Sequence, residues 1–427
     1  MPYLSPPMKP KLLTTIRDYT PRLFLGDLFA GISVALVAIP LSIAIAIASG
    51  APPEAGLVTA IVAGFLISAL GGSKVQIGGP TGAFIVVVYA VIAEHGYDGL
   101  VLATLMAGAI LVVAGLLRAG SLIAYVPEAV VNGFTIGIAI VIAASQLKDF
   151  AGIEAAGLPA DFLPKMAALW AARASANWTA LAVGAGTLAA IVLLRRFVPR
   201  VPDRLAGTVL VSVVAALLVL PVETIASQYG ALPRSLPMPS LPVVTGSRIA
   251  ELMPSAFVIA FLAAVESLLS AMVADRMIGG SHRPNAEVAA QGWANIGSAL
   301  FGGLPATGAI ARTATNVRAG GKTPVAGIIH AIAILVVLLT AAPLAGYLAM
   351  PALAALLMMT AWNMSEPHKW RGYWAEPNEQ RLLLLLTLLL TVLADLTVAI
   401  GVGVGVGLAI RLRDSKFKAE EWRPPEP

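Results

Sequence analysis

Two charged residues stand inside long apolar runs, and their types could do chemistry. Glu266 lies in Ala263-Ala264-Val265-Glu266-Ser267, and Arg312 in Ala309-Ile310-Ala311-Arg312-Thr313. A charge in such a setting is costly and marks a substrate or ion pathway by default. Glu266 has no basic residue within one helical turn along the chain. Desolvation penalises its charged form, which suits a proton carrier. The alternative is a carboxylate hydrogen-bonded between helices. Arg312 reads either as a positive field for an anion or as one half of a structural ion pair.

Two glycine- and proline-rich stretches could supply the rest of an anion site. The first is Gln76-Ile77-Gly78-Gly79-Pro80-Thr81-Gly82-Ala83-Phe84, and the second runs Gly303-Leu304-Pro305-Ala306-Thr307-Gly308. Glycines followed by proline disfavour helix, so Val75–Gly79 is expected to be extended. Pro80 suits a first helical turn, where its missing N–H costs nothing. A half-helix is then expected over Thr81–Ala93, and its counterpart through Asn316. Half-helices that begin at the membrane midplane would aim free N–H groups and positive dipole ends at each other. That arrangement binds an anion without a dedicated lysine. The candidate substrate-binding residues are therefore Thr81, Gly82, Ala83, Phe84, Ala306, Thr307, Gly308, Ala309 and Arg312, with Glu266 as the coupling residue. The competing reading makes both stretches ordinary loops; irregular backbone at membrane depth, however, must line a cavity.

The elements that would position these residues are transmembrane helices. Of 427 residues, 58% are hydrophobic and 12% charged, and the mean hydropathy is +0.86; a soluble domain carries about 25% charge. A cytosolic enzyme and a disordered chain are excluded. The formal charge of +5 does not argue for nucleic acid, because the basic residues sit in short connections. With no cysteine and four scattered histidines, thiol chemistry is excluded and a histidine metal site is not expected. No cofactor is expected either. Lys9, Lys11, Arg17 and Arg22 precede an uncharged run from Leu28 to Pro53, longer than a signal core, so it reads as a retained first helix.

A span needs about 20 apolar residues, or fewer where a helix is broken, and candidate runs number fourteen, several of them short or interrupted by glycine and proline. They lie at approximately 28–49, 54–71, 75–93, 99–117, 122–147, 175–197, 205–221, 253–274, 286–301, 303–317, 324–342, 346–362, 379–395 and 396–412. Placing both termini in the cytoplasm puts Lys74, Arg118, Arg195, Arg196, Arg200, Arg204, Arg276 and Arg283 inside. Only Lys148, Lys165, Arg173, Arg234 and Arg248 fall outside, as the positive-inside rule asks. Thr81-Gly82-Ala83-Phe84 recurs as Thr307-Gly308-Ala309-Ile310, 226 residues later. Seven spans per half is odd, so the second copy enters from the opposite side. Paired interrupted helices in inverted halves point to a transporter's midplane site. The fold class is thus an all-α polytopic membrane protein of two inverted seven-segment repeats, with extended stretches leading into half-helices 3 and 10.

Other polar positions carry less. Glu128, Asn132, Gln146, Lys148 and Asp395 read as caps or interfacial groups. Ser298 and His330 are the residue types of an intramembrane protease, but no nucleophile motif surrounds the serine. The valine–glycine alternation of Gly401–Gly407 reads as close helix packing.

At these residues the chain resembles the SulP (sulfate permease) family, bacterial relatives of solute carrier family 26. The resemblance covers nearly all of residues 20–412. It is carried by Gly26-Asp27-Leu28-Phe29-Ala30-Gly31 with Ala38-Ile39-Pro40, by Gly71-Gly72-Ser73 through Thr81, and by Val131-Asn132-Gly133-Phe134. Pro305 through Asn316 and Gly320-Gly321-Lys322-Thr323-Pro324 complete it. The resemblance implies a core domain (28–118 and 253–342) moving against a gate domain (119–252 and 343–412), flanked by cytoplasmic segments 1–27 and 413–427. It implies secondary transport of small anions such as sulfate, bicarbonate, chloride or dicarboxylates, by a homodimer in the bacterial inner membrane. Leu41 stands where many relatives carry glutamine, which blurs the substrate. The cytoplasmic STAS domain of most relatives is not expected in so short a tail. Glutamate at 266, where sodium-using bicarbonate carriers of the family have aspartate nearby, favours proton coupling, with sodium as the alternative ion. A nucleobase or ascorbate carrier of the same architecture, or an uncoupled anion channel, are the competing functions.

Overall fold

A computed structural model of the chain describes residues 8–120, 126–155, 157–198, 201–394 and 396–413. Asp395 and the tail beyond Arg413, and with them the expectations placed there, lie outside the described residues. A short helix α1 (Lys11–Thr15) leads to α2 (Pro21–Ala48), whose start is set by Thr20: its hydroxyl accepts the Leu23 N–H, and Pro21 occupies the first turn. α3 (Pro53–Leu70) opens with proline in the same way. The chain then runs extended through β1 (Gly78–Gly79) and one tight turn, Gly82–Phe84, into α4 (Ile85–Leu116). α4 breaks at Gly96, where φ 70° and ψ 179° suit glycine alone. The third and fourth predicted spans are therefore one bent element hinged at a single residue, without the connecting loop the sequence suggested.

The remaining elements follow in order. They are α5 (Glu128–Ser145), α6 (Leu147–Ala151), α7 (Phe162–Ala171), α8 (Trp178–Phe197), α9 (Asp203–Leu217), α10 (Ile225–Tyr229) and α11 (Gly246–Ile278). Then come α12 (Pro284–Leu300), β2 (Thr307–Gly308), α13 (Ile310–Arg318), α14 (Val325–Ala345), α15 (Met350–Met364), α16 (Trp370–Ala375), α17 (Asn378–Leu393) and α18 (Leu396–Arg413). Each predicted span coincides with a helix or half-helix in this series. The short helices α6, α7, α10 and α16 lie in the connections. Among the described residues, seven helices are long and apolar enough to cross a membrane by length and composition. Exposed side chains such as Phe29, Leu117, Trp178, Leu218 and Leu344 form the apolar surface that lipid covers.

β1 and β2 pair antiparallel, Gly78 opposite Gly308 and Gly79 opposite Thr307. Two equivalent segments crossing in opposite senses is what an inverted repeat produces. Helices α2, α3, α4, α11, α12, α13 and α14 pack chiefly on one another, and α5, α8, α9, α15, α17 and α18 form a second set. Small residues allow the closest approaches. Gly115 of α4 meets Ala289 of α12, and Gly133 of α5 meets the backbone of Leu384 in α17. In α18, Gly403 lies against Thr387 and Val130, and Gly407 against Pro127. The alternate glycines 401 and 405 have open space beside them, so one face of that repeat is the packing face.

Candidate functional site

The paired strands bring the two half-helix starts together, and one stripe of α12 holds both approaches. Glu287, Gln291 and Asn295 are spaced four apart and share a face. The Glu287 carboxylate accepts the N–H groups of Gly72 (2.8 Å) and Ser73 (3.1 Å), in the turn before β1. It also accepts the Gln291 side chain at 2.8 Å. The Asn295 amide accepts the Ala306 N–H and donates to the Ala306 carbonyl, both at 2.9 Å. A nine-residue stretch of one helix, Glu287 to Asn295 and about 12 Å long, thus clamps the chain entering each strand. Sequence reasoning missed this stripe, although its four-residue spacing was visible.

At the first start, Thr81 is extended, at φ −125° and ψ 156°. Pro80 belongs to this extended approach rather than to the first turn, because pairing with β2 keeps the backbone straight. The α-helix begins at Ile85, later than the expected Thr81, after the Gly82–Phe84 turn. The Phe84 N–H returns to the Thr81 carbonyl at 3.2 Å. The amides of Gly82 and Ala83 have no partner among the described residues. The buried Thr81 hydroxyl has none either. Phe84 is buried in the core.

At the second start, the first bond of α13 runs from the Thr313 N–H to the Ala309 carbonyl at 2.9 Å. The amides of Ile310, Ala311 and Arg312 have no partner among the described residues, as is usual at a helix start. Three of the candidate residues are held by the protein itself. Ala306 is tied to Asn295, the Ala309 N–H goes to the Ile77 carbonyl at 2.8 Å, and the Thr307 hydroxyl donates to the Ala263 carbonyl at 3.0 Å. Gly308 faces Gln76, whose side-chain amide fills the place of a Cβ.

Arg312 is buried, and its Nη2 donates to the Ser42 hydroxyl of α2 at 3.0 Å. Its Nη1 has no hydrogen-bond partner among the described residues and lies against Gly79. No carboxylate among the described residues is within ion-pair distance of it, so the ion-pair role has no partner. Gly79 has φ 148°, and the guanidinium occupies the space beside it. The positive φ favours glycine, and a side chain there would also have to push the guanidinium aside.

Glu266 lies on α11 between two stitches to the second start. Three residues before it, the Ala263 carbonyl receives Thr307. Four residues after it, the Ser270 hydroxyl meets the Thr313 hydroxyl at 3.1 Å, and Thr313 also accepts the Ile77 N–H at 3.1 Å. Positions i and i+4 share a helix face, so Glu266 faces β2 and α13. It is half-buried, with no hydrogen bond or ion pair among the described residues. Ser298 donates to the Leu304 carbonyl at 2.7 Å and makes no bond to His330, which is buried on α14.

The family model of the sulfate permease family matches residues 24–386. A putative sulfate transporter of Bacillus subtilis, YvdB, is 44% identical over 352 residues, which is 82% of this chain and 66% of that protein. The bicarbonate transporter BicA of Picosynechococcus is 32% identical over 341 residues, 78% of this chain and 60% of its own length. The chain thus spans less than two thirds of these curated relatives. The solved transmembrane domain of a cyanobacterium bicarbonate transporter BicA superposes with a TM-score of 0.80 at 29% identity, covering 90% of this chain and 99% of that one. SLC26A9 superposes at 0.85 with 18% identity, over 95% of this chain and 68% of its own, and shares the fold.

Proposed function

The chain belongs to the sulfate permease family, a family of transporters rather than enzymes, and from that premise we propose secondary active transport of a small anion. The substrate is of the sulfate, bicarbonate, chloride or dicarboxylate class. Relatives named for sulfate and for bicarbonate bracket that range without choosing within it. The observation that carries the reading is the pair of half-helix starts joined at Gly78–Gly79 and Thr307–Gly308. Their unpaired amides at Gly82, Ala83, Ile310 and Ala311 and the free Nη1 of Arg312 offer positive donors to one small anion.

The helix set that carries both starts acts as the mobile core (28–118 and 253–342). The second set acts as the gate (119–252 and 343–412), and substrate crosses as the core moves elevator-fashion against it. The separate packing of the two sets supports this division. Glu266, facing the second start without a cation, carries the coupling proton in symport. Sodium is the competing coupling ion. The protein works as a homodimer in the inner membrane of a bacterium, with both termini in the cytoplasm.

The test is uptake of labelled sulfate, bicarbonate, fumarate and uracil into proteoliposomes, with and without an inward proton gradient. The expected result is accumulation of at least one anion, driven by the gradient, and no uracil uptake. Flux indifferent to the gradient would make the protein a channel. Uracil uptake without anion uptake would overturn the substrate class.

A further inference from the structure

Outside the half-helix starts, a cleft among the described residues has a buried cation turned into it. The cleft has a volume of about 530 Å³ and lies between the first half of α4 and helices α5, α7, α11 and α17. It reaches Ile85, the first residue of α4, directly after the Gly82–Phe84 turn. Lys165 of α7 lines it. This side chain is 5% exposed and its ammonium sits 4.6 Å from the centre of the Tyr89 ring. Among the described residues no carboxylate stands within ion-pair distance of it. Tyr89 is in turn fixed by its hydroxyl, which donates to the Leu158 carbonyl at 3.0 Å. Tyr89 follows Ile85 by one turn of α4, a rise of about 6 Å, so Lys165 stands one turn above the half-helix start.

We propose that Lys165 and the walls of this cleft form a second anion site, the place where the transported anion is held before it reaches the amides of Gly82 and Ala83. The inference rests on the transport reading and adds a residue to its route. Two acidic residues also line the cleft, Glu94 and Asp161, but both are exposed. Glu94 is further engaged by His95 at 3.7 Å. Exposed charges are screened by solvent and salt, whereas a buried charge is screened far less. Lys165 therefore sets the potential at depth. Burial holds its ammonium below the usual lysine range, against the pull of nearby Asp161; an arriving anion relieves the same desolvation. On the proposed topology the cleft opens to the outside. The aromatic ring beneath the ammonium keeps it in place without neutralising it.

The chain contains no cysteine, so a reporter can be placed without background. Ser145→Cys, on the α5 wall of the cleft, is treated in intact cells with impermeant anionic and cationic methanethiosulfonates. With Lys165 present the anionic reagent should gain on the cationic one by about tenfold relative to a free thiol. Lys165→Gln should remove that preference, Lys165→Met should do so while keeping the aliphatic packing on Tyr89, and Lys165→Arg should retain it. In the cysteine-free background, Lys165→Gln should raise KM for labelled sulfate or bicarbonate several-fold and leave kcat nearly unchanged. A rate ratio unmoved by both neutral substitutions overturns the site. A ratio that moves while KM does not overturns its place on the route. If the unmodified chain carries no anion, the transport reading fails, and the reagent ratio still decides whether Lys165 makes an anion site.

Discussion

The side-chain amide of Gln76 stands where Gly308 would carry a Cβ, across the strand pair that joins the two halves of the molecule. Any side chain at 308 collides first with Gln76, not with an arriving anion. Gly308→Ala should therefore displace the Gln76 side chain and strain the packing across the strand pair, at about 1–3 kcal/mol. Uptake should fall at least tenfold while the protein still elutes as a folded species. Adding Gln76→Ala should give back a substantial part of the lost uptake. Should the double variant be no better than Gly308→Ala alone, the collision is not the cause.

Arg312 offers a cleaner electrostatic test, because among the described residues its side chain bonds only the neutral Ser42 and its Nη1 has no partner. Arg312→Ser should raise KM for the transported anion by about tenfold or more, the scale of one lost charge-assisted contact. Arg312→Lys should recover part of it, since a lysine keeps the charge but loses the planar fork. Ser42→Ala should be much milder. Affinity that survives Arg312→Ser would remove the guanidinium from the site.

Much of this site was legible in the sequence because its signals are local. Glycine and proline break a helix wherever they fall, so the interruptions at 78–80 and 302–305 and the repeat of Thr-Gly-Ala could be read directly. Contacts between residues more than two hundred positions apart could not. The pairing of Gly78 with Gly308 and the seat of Gln76 against Gly308 depend on the inverted packing of whole halves. The helix start at Ile85 was misplaced for the same reason: strand pairing, absent from local propensity, holds Pro80 and Thr81 extended. The gap left between the runs 75–93 and 99–117 is closed by one helix, in which a single glycine, Gly96, makes the turn. Lys165 read as one more outer basic residue, and nothing in its neighbours foretold burial on Tyr89.

The fold itself is pinned at Asp27, a fully buried carboxylate of α2. It accepts the N–H groups of Lys322 (2.8 Å) and Thr323 (3.2 Å), the Thr323 hydroxyl, and the Tyr19 hydroxyl at 3.1 Å. Burial, then the adjacent Asp27, pushes the Tyr19 phenol up to about 12, so it remains a donor across the pH range of any uptake assay. Asp27→Asn turns one acceptor into a donor facing two hydroxyls, and should cost about 1–3 kcal/mol. Tyr19→Phe removes a single bond and should cost about 1 kcal/mol. Thermal unfolding in detergent should rank wild type above Tyr19→Phe and Tyr19→Phe above Asp27→Asn. An Asp27→Asn midpoint equal to wild type would show that α2 and the start of α14 are held together by packing alone.

Glu266 decides the coupling mechanism. It faces the second half-helix start, between the Thr307–Ala263 and Thr313–Ser270 contacts, and no cation is bound to it by an ion pair among the described residues. An ionised glutamate there would repel an anion held at the amides. A protonated one would not, so proton and anion should bind cooperatively. The effect is reciprocal: lower pH raises anion affinity by the factor by which the anion raises proton affinity. Glutamine mimics the protonated form and cannot release a proton. Glu266→Gln should therefore still exchange anion for anion, with an affinity that no longer varies with pH, yet fail to accumulate it from an inward proton gradient. Counterflow and gradient-driven uptake in the same proteoliposomes separate the two activities. Glu266→Asp should keep some coupling, because it keeps an ionisable carboxyl on a shorter stem. If Glu266→Gln still concentrates substrate from a proton gradient alone, the coupling proton travels elsewhere, and Glu266 serves the packing of α11 on α13.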